Sequence, residues 1–459
     1  MEMLNKINAF VWGTPTLLLM FFTGLTLTLR TNFFQIRAFK AAIKTFFKKG
    51  DKSGKGNKEK RLTPMQSAST ALSATMGTGN IVGVAGAVAL GGAGAVFWMW
   101  VSALLSMIIK FSEIALAVRY RETNPDDSYS GGVMYYIKNA LPAYFAPLGK
   151  FFCICGAISA FGTGNLTQIN TMSASVSQAA RVLASLSPRE DFFIKLSVGV
   201  LCAVLCGYIL KSDGRTGQFC EKIIPVMTVL YITMTVGVIA VNFNKLPSVF
   251  LQIFKGAFDP KSVTGGAVGS AFISLRLGMS RGIFSNEAGL GTAPTAYACS
   301  NGDELSLGLM GIVEVFIDTI VVCTLTALTL LCAGGIDYGT DTASALTINA
   351  LSTVYGKNVI FVFCPVVCFF AFSSVIGWGL YGAKFTAFLF GEDSKKGFLI
   401  LFTMLMIPAA VFRPDAAWVT AEILNGFMAI PNITALLFLT NEISDITHKF
   451  SVIKKGRFA

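Results

Sequence analysis

Between Arg61 and Lys110 the chain carries not one Asp, Glu, Lys or Arg. A water-soluble fold does not leave so long a stretch uncharged. A hydrocarbon core of ~30 Å, crossed by helices of about 20 apolar residues, suits it. The run Gly91-Gly92-Ala93-Gly94 divides the stretch, predicting spans over 65–90 and 95–118. The same reading predicts spans at 9–29, 148–180, 196–210, 223–243, 266–299, 307–331, 359–390, 398–411 and 418–439. The expectation is an all-α polytopic membrane protein with about eleven transmembrane helices. The spans at 148–180 and 359–390 exceed what a bilayer needs, so each must tilt or carry a turn outside the core. Composition agrees: of 459 residues 53% are hydrophobic and only 14% charged, against roughly a quarter charged in soluble domains. The 45 glycines suit close helix packing in lipid.

The formal charge of +12 raises nucleic acid as a partner, but its distribution argues against it. Arg30, Arg37, Lys40, Lys44, Lys48 and further lysines up to Lys60 and Arg61 crowd between two apolar runs. Cytoplasmic loops carry such clusters, and anionic lipid headgroups are their natural partner. No small-residue cleavage site follows the 9–29 run, which reads as a retained helix. An odd number of spans then puts the N-terminus outside and the C-terminal tail, with Lys449, Lys454, Lys455 and Arg457, inside a cell membrane. Lys245, Lys255 and Lys261 fall outside, against the rule, beside a short amphipathic surface helix expected over 247–259. Ten cysteines contain no CxxC pair and mostly lie in apolar runs, where Cys acts as a small hydrophobe.

Two spans are interrupted. The first of them holds Ser73-Ala74-Thr75-Met76-Gly77-Thr78-Gly79-Asn80, and the other runs from Leu277-Gly278-Met279-Ser280-Arg281 through Asn286-Glu287-Ala288-Gly289. Glycine costs about 1 kcal/mol in a helix interior, and irregular backbone at membrane depth is tolerated only where it lines a cavity or is buried in protein. Close packing through Gly77/Gly79 and Gly278/Gly282 is the simpler alternative for either segment alone. The pairing favours broken helices. With the first span set aside, ten remain, and the breaks fall in the first of each five, entered from opposite sides. That is the pattern of inverted repeats around a transport site. The chain accordingly divides into an N-terminal helix and basic loop (1–62), two repeats (63–245 and 246–440) and a cytoplasmic tail (441–459).

The strings Gly77-Thr78-Gly79-Asn80-Ile81-Val82-Gly83-Val84, Phe97-Trp98-Met99-Trp100 and Arg281-Gly282-Ile283-Phe284-Ser285-Asn286-Glu287-Ala288-Gly289-Leu290-Gly291 resemble the alanine or glycine:cation symporter family. Phe316-Ile317-Asp318-Thr319, Phe372 to Trp378 and Asn425 to Asn432 fit it as well. The resemblance implies a 5+5 inverted-repeat core of LeuT type, with alanine or glycine imported together with Na⁺ by alternating access. By the same likeness, N–H groups around Gly77, Thr78 and Gly79, beside Thr75, would hold the substrate carboxylate, as a helix N-terminus holds an anion. Gln168 would face the substrate from the third core helix, and Asn165 would share its face. Met279 and Phe284 would close the cavity on small side chains. A sodium site would comprise Ser373 and Ser374 with backbone oxygens of Ser73 and Met76. Asn80 offers its carbonyl to Na⁺ or substrate, with a helix–helix hydrogen bond as the plainer alternative. Serines bonding back to their own helix are the alternative for Ser373 and Ser374.

Charges within spans need partners. Glu314 and Asp318 stand i,i+4 in the eighth span, facing Arg276, Arg281 and Glu287 in the seventh, and a network or gate between the two is expected. Lys110, Glu113 and Lys384 are read as close enough to helix ends to snorkel. Other classes fail on residues. The single histidine, His448, and the lack of GxSxG, HExxH or GxxxxGK[ST] strings leave an enzyme or an ATP-driven pump without machinery. A channel would need filter repeats or charge rings. Proton coupling remains the alternative to Na⁺, because Glu287 and Asp318 are titratable. The implied partners are the amino acid and membrane lipid; the sequence sets no oligomeric state.

Overall fold

The computed structural model describes residues 2–48, 61–259, 261, 264, 270–336, 338, 343–412 and 415–456. The lysines from Lys49 to Lys60, the start of the seventh expected span at 266–269, and Arg457 lie outside them. Helices dominate: α1 (Thr14–Arg30), α2 (Pro64–Thr75), α3 (Val82–Gly91), α4 (Gly94–Arg119), α5 (Ala146–Phe161), α6 (Thr167–Leu183), α7 (Pro188–Ile209), α8 (Asp213–Val241), α9 (Leu246–Phe258), α10 (Ala271–Asn286), α11 (Ala293–Ala298), α12 (Glu304–Val315), α13 (Thr324–Ala333), α14 (Ile360–Phe390), α15 (Ser394–Met404), α16 (Met406–Val411), α17 (Asp415–Phe438) and α18 (Thr440–Gly456). Wide π-turns join α5 to α6 (Gly162–Leu166) and α12 to α13 (Phe316–Cys323). Such turns free backbone groups inside an otherwise continuous helix.

The helices begin where local chemistry tells them to. Thr63 and Gln66 form a reciprocal cap ahead of Pro64, and Ser187 with Glu190 does the same ahead of Pro188. Ser212, Ser270 and Asp303 accept from the first turns of α8, α10 and α12. Each cap satisfies a donor that a helix start leaves open.

Among the described residues nine helices are long and apolar enough to cross a membrane, and ten when the bent pair α2/α3 counts as one span. The one expected span missing from this count, the seventh (266–299), is split: α10 has 16 residues and α11 only 6. Its discontinuity removes it from a count made on length. The first span is longer than expected, Glu2–Arg30, with a turn at Gly13 between a preceding helix, Glu2–Val11, and α1. The amphipathic helix expected over 247–259 is α9. All ten cysteines are free.

Loops that the charge pattern assigns to one side gather at one end. Arg61 bonds Asp127, and Arg61 and Arg121 stack on the Tyr129 ring at 4.1 and 3.9 Å. Glu304 receives Arg119 at 2.9 Å and Lys449 at 2.8 Å, and Lys384 reaches Asp213 at 2.6 Å. Burial, together with the Glu442 carboxylate to which it donates, pushes the Tyr120 phenol at this end up to about 12. At the opposite end Asn8 donates to Glu422 at 2.8 Å and Lys245 to the Cys332 carbonyl at 2.9 Å.

Candidate functional site

The chain turns by 57° between α2 and α3. Met76 leaves the helix at ψ 79°, Gly77 is extended, and Thr78–Asn80 starts a new helical turn. Gly77 is required sterically: a Cβ there would lie 2.6 Å from Ser374 Oγ. Its N–H is already held, by Asn80 Oδ1 at 3.1 Å and the Thr75 carbonyl at 2.9 Å. Thr78 and Gly79 head the new segment. The first N–H groups of a helix have no acceptor within it.

The second break lies further along than its glycines suggested. Gly278 and Gly282 sit inside α10, which is continuous to Asn286. They let α10 press on α4, against Ala95 and Trp98 for the former and Met99 and Ser102 for the latter. The packing alternative holds for these two. The break itself is 287–292, where Glu287 takes a left-handed φ of 52° and Gly289 and Gly291 follow at 88° and 77°.

A cavity of about 220 Å³ opens between the two breaks, smaller than the ~300–1,000 Å³ of drug-sized sites. Of the expected residues, Thr75, Gly77, Thr78, Gly79, Gln168 and Phe284 line it. Buried Gln168 Oε1 has no partner among the described residues. Two expected residues do not line it. Asn165 Nδ2 donates to the Phe402 carbonyl at 2.6 Å, tying the π-turn to α15. Met279 points to the far side of α10, against Met20 and Ser102. Residues that the sequence reading missed complete the wall: Thr163, Thr167 and Thr171, spaced four apart, with Trp378, Arg281 and Glu422. The threonine spacing and the position of Trp378 one turn beyond Ser374 were available signals. Leu90, Leu277 and Glu422 carry the cavity toward the end of the bundle where Asn8 meets Glu422.

Beside the first break lie the residues expected to hold Na⁺, and Ser73, Met76, Ser373 and Ser374 are all fully buried. Ser374 Oγ donates to the Ser73 carbonyl at 2.9 Å, bridging α14 and α2. Ser373 instead bonds back to the Phe370 carbonyl at 2.9 Å. Ser73 Oγ turns to the Thr70 carbonyl at 2.7 Å, leaving its backbone oxygen as the group that meets Ser374. Asn80 faces away from this pair. Its amide donates to Asp318 Oδ1 at 2.7 Å and Ser285 Oγ at 2.9 Å, so the helix–helix alternative describes it in this structure. Asp318 also accepts from Ser285 at 2.8 Å and Thr319 at 2.9 Å, tying the π-turn to both breaks.

The expected charge network exists, with different members. Lys110 and Glu113 do not snorkel; both are wholly buried. They sit nine and six residues before the end of α4, where Glu314 of α12 and Asn432 of α17 meet them. Lys110 pairs with Glu314 at 3.3 Å, the role expected of Arg276 or Arg281. Glu113 accepts from Asn432 and, at 2.8 Å, from the Gly289 N–H.

A family model described as the sodium:alanine symporter family matches residues 1–457. The sodium/alanine symporter AgcS of Methanococcus maripaludis is 37% identical over 99% of this chain and 98% of its own. A putative sodium/proton-dependent alanine carrier of Bacillus subtilis is 31% identical over 95% and 90%. Among solved structures, MhsT in complex with L-phenylalanine superposes with a TM-score of 0.58 at 13% identity, covering 85% of this chain and 99% of that one. The LeuT-type fold follows from that likeness.

Proposed function

This chain belongs to the sodium:alanine symporter family, a family of sodium-coupled multi-pass membrane transporters, and on that premise we propose that it imports alanine and glycine by alternating access. In this reading the substrate carboxylate rests on the N–H groups of Thr78 and Gly79. Gln168 Oε1, buried and without a partner among the described residues, accepts from the ammonium. Phe284 and Trp378 limit the side chain to hydrogen or methyl. Na⁺ lies at Ser374 Oγ and the Ser73 carbonyl, with a Met76 backbone oxygen completing a neutral oxygen set of the kind hard cations take.

One observation carries the reading: the Ser374–Ser73 bridge touches the same glycine that forms the cavity wall. Na⁺ seated there fixes the angle between α2 and α14 and so shapes the carboxylate cradle. Binding of Na⁺ and of alanine then favour one another, as linkage requires. Equilibrium binding of labelled alanine to purified protein tests this: the affinity should rise steeply with Na⁺, and Na⁺-independent binding would contradict it. In this reading the N-terminus lies outside, so Lys357→Cys should react with an impermeant thiol reagent in intact cells. Asn301→Cys should react only after permeabilisation.

A further inference from the structure

Behind the cavity floor the bundle buries more negative charge than positive. Glu113 on α4, Glu287 at the second break and Glu314 on α12 are 0%, 5% and 1% exposed, and Lys110 is 0% exposed. Lys110 is the one cation in ion-pair contact with this group among the described residues. Other groups facing it bring no positive charge. Asp318 approaches from the π-turn, Tyr297 from α11, Tyr381 from α14, and Asn432 from α17 with Tyr136 donating to it. The Tyr297 hydroxyl faces Glu314, and the Tyr381 hydroxyl is buried without a hydrogen-bond partner among the described residues. These three carboxylates, with Asp318 beside them, cannot all stay ionised against one ammonium, since each uncompensated buried charge costs several kcal/mol.

The geometry sorts the three. Glu314 has the Lys110 ammonium at 3.3 Å. Glu113 holds two N–H donors, from Gly289 and Asn432, on one oxygen. Glu287 has a single neutral donor, Thr292 Oγ1 at 2.5 Å, and it alone of the three lines the cavity. Arg281 and Glu422 line the same cavity, and no ion pair joins Arg281 to Glu287 among the described residues.

We propose that Glu287 is a proton-binding site at the cavity floor, loaded from cavity water, and that its protonation is linked to substrate binding. A proton leaves hydronium in the cavity and forms an O–H bond on the Glu287 oxygen not held by Thr292, leaving water behind. A zwitterionic amino acid adds no net charge and cannot correct the surplus, and Na⁺ sits on the far flank of the first break. A proton on Glu287 reduces it where it arises. Glu287 also caps α10 in a left-handed conformation, and the loop that follows is pinned through Gly289 to Glu113 and Asn432. Loss of the proton restores repulsion between Glu287 and Glu113/Glu314 across that loop, loosening the second break in the half of the cycle that releases substrate.

This inference rests on the alanine-symport reading, and one experiment separates the two. Labelled alanine is bound to the purified protein at saturating Na⁺ across a pH series, and proton uptake is followed in weakly buffered solution with a pH-sensitive dye. Wild type should take up roughly one proton per alanine bound, and affinity should fall roughly tenfold per pH unit once Glu287 ionises in the empty protein. Glu287→Gln, which fixes the neutral form, should bind alanine with the low-pH affinity at every pH and take up no proton. Failure of alanine to bind wild type at any pH defeats the symport reading, and this inference with it. Binding without proton movement defeats this inference alone, whether or not the variant folds. A pH-dependent Glu287→Gln, or one that folds and binds nothing, also overturns it; the latter would assign the carboxylate to the substrate ammonium.

Discussion

The two breaks solve the same problem with opposite chemistry. At the first, Gly77, Thr78 and Gly79 bring no charge, and the neighbours across the gap are hydroxyls and an amide: Ser374, Thr75 and Gln168. At the second, the loop 287–292 is held by Glu113 and Asn432 and backed by the Lys110–Glu314 pair. Neutral dipoles can grip and release a zwitterion and a monovalent cation without a large desolvation term. Charged groups buried in hydrocarbon have no such tolerance: they fix a structure or mark a switch. Lesions at the first break should therefore damage transport and spare the fold. Lesions in the buried Lys110–Glu314 pair behind the second should cost fold stability first.

The largest effect is expected at Lys110. Lys110→Met leaves Glu314 without its partner and should destabilise the protein by about 3–5 kcal/mol, read as a lowered melting temperature in detergent. Replacing both partners, Lys110→Met with Glu314→Met, should recover most of that loss. A double variant no more stable than the single one would show that the second break does not depend on this pair.

Next comes Gly77→Val at the first break. The added carbons collide with Ser374, and overpacking of about 1–3 kcal/mol corresponds to a ten- to roughly hundred-fold loss of alanine affinity. The melting temperature should move far less than in the Lys110 variant. A matching loss of fold stability would erase the distinction between the breaks.

The breaks were not equally legible in the sequence. The first announced itself because Gly77 and Gly79 stand among hydroxyls in an uncharged run, and it lies where the composition put it. The second was anticipated too early. Gly278 and Gly282 look like breakers, but they accept α4 against a continuous helix, and only three-dimensional packing separates those roles. Met279 was misplaced for the same reason, since its phase on α10 turns it to Met20 rather than to the cavity. Lys110 and Glu113 stand close enough to a helix end in sequence for snorkelling to be expected. Sequence distance to a helix end says nothing of the cover that α12 and α17 supply. The π-turn at Phe316–Cys323, which aims Asp318 at Asn80, leaves no pattern in composition at all.

A smaller effect separates the two serines. Ser374→Ala removes the bridge to the Ser73 carbonyl and should raise the Na⁺ needed for half-maximal uptake roughly tenfold, the equivalent of one hydrogen bond of about 1–1.5 kcal/mol. Ser373→Ala loses only a bond within its own helix and should change it less than about two-fold. Equal effects would move the cation away from the Ser374–Ser73 bridge. The finest distinction is in substrate size. Unlabelled alanine and glycine should compete for uptake, serine more weakly, and leucine or phenylalanine not at all, whereas strong inhibition by leucine would mean a larger pocket than Phe284 and Trp378 leave.

The central claim is that a neutral cradle at the first break couples Na⁺ to a small amino acid, while the buried charges behind it serve the second break. Uptake of labelled alanine into proteoliposomes tests it most directly, under an inward Na⁺ gradient and, separately, under an inward proton gradient with Na⁺ replaced by a larger cation. Concentrative uptake is expected with the Na⁺ gradient and none with protons in the absence of Na⁺. Equal accumulation from the proton gradient alone would mean that the driving ion binds at the charged break, and would contradict the assignment of Na⁺ to Ser374 and Ser73.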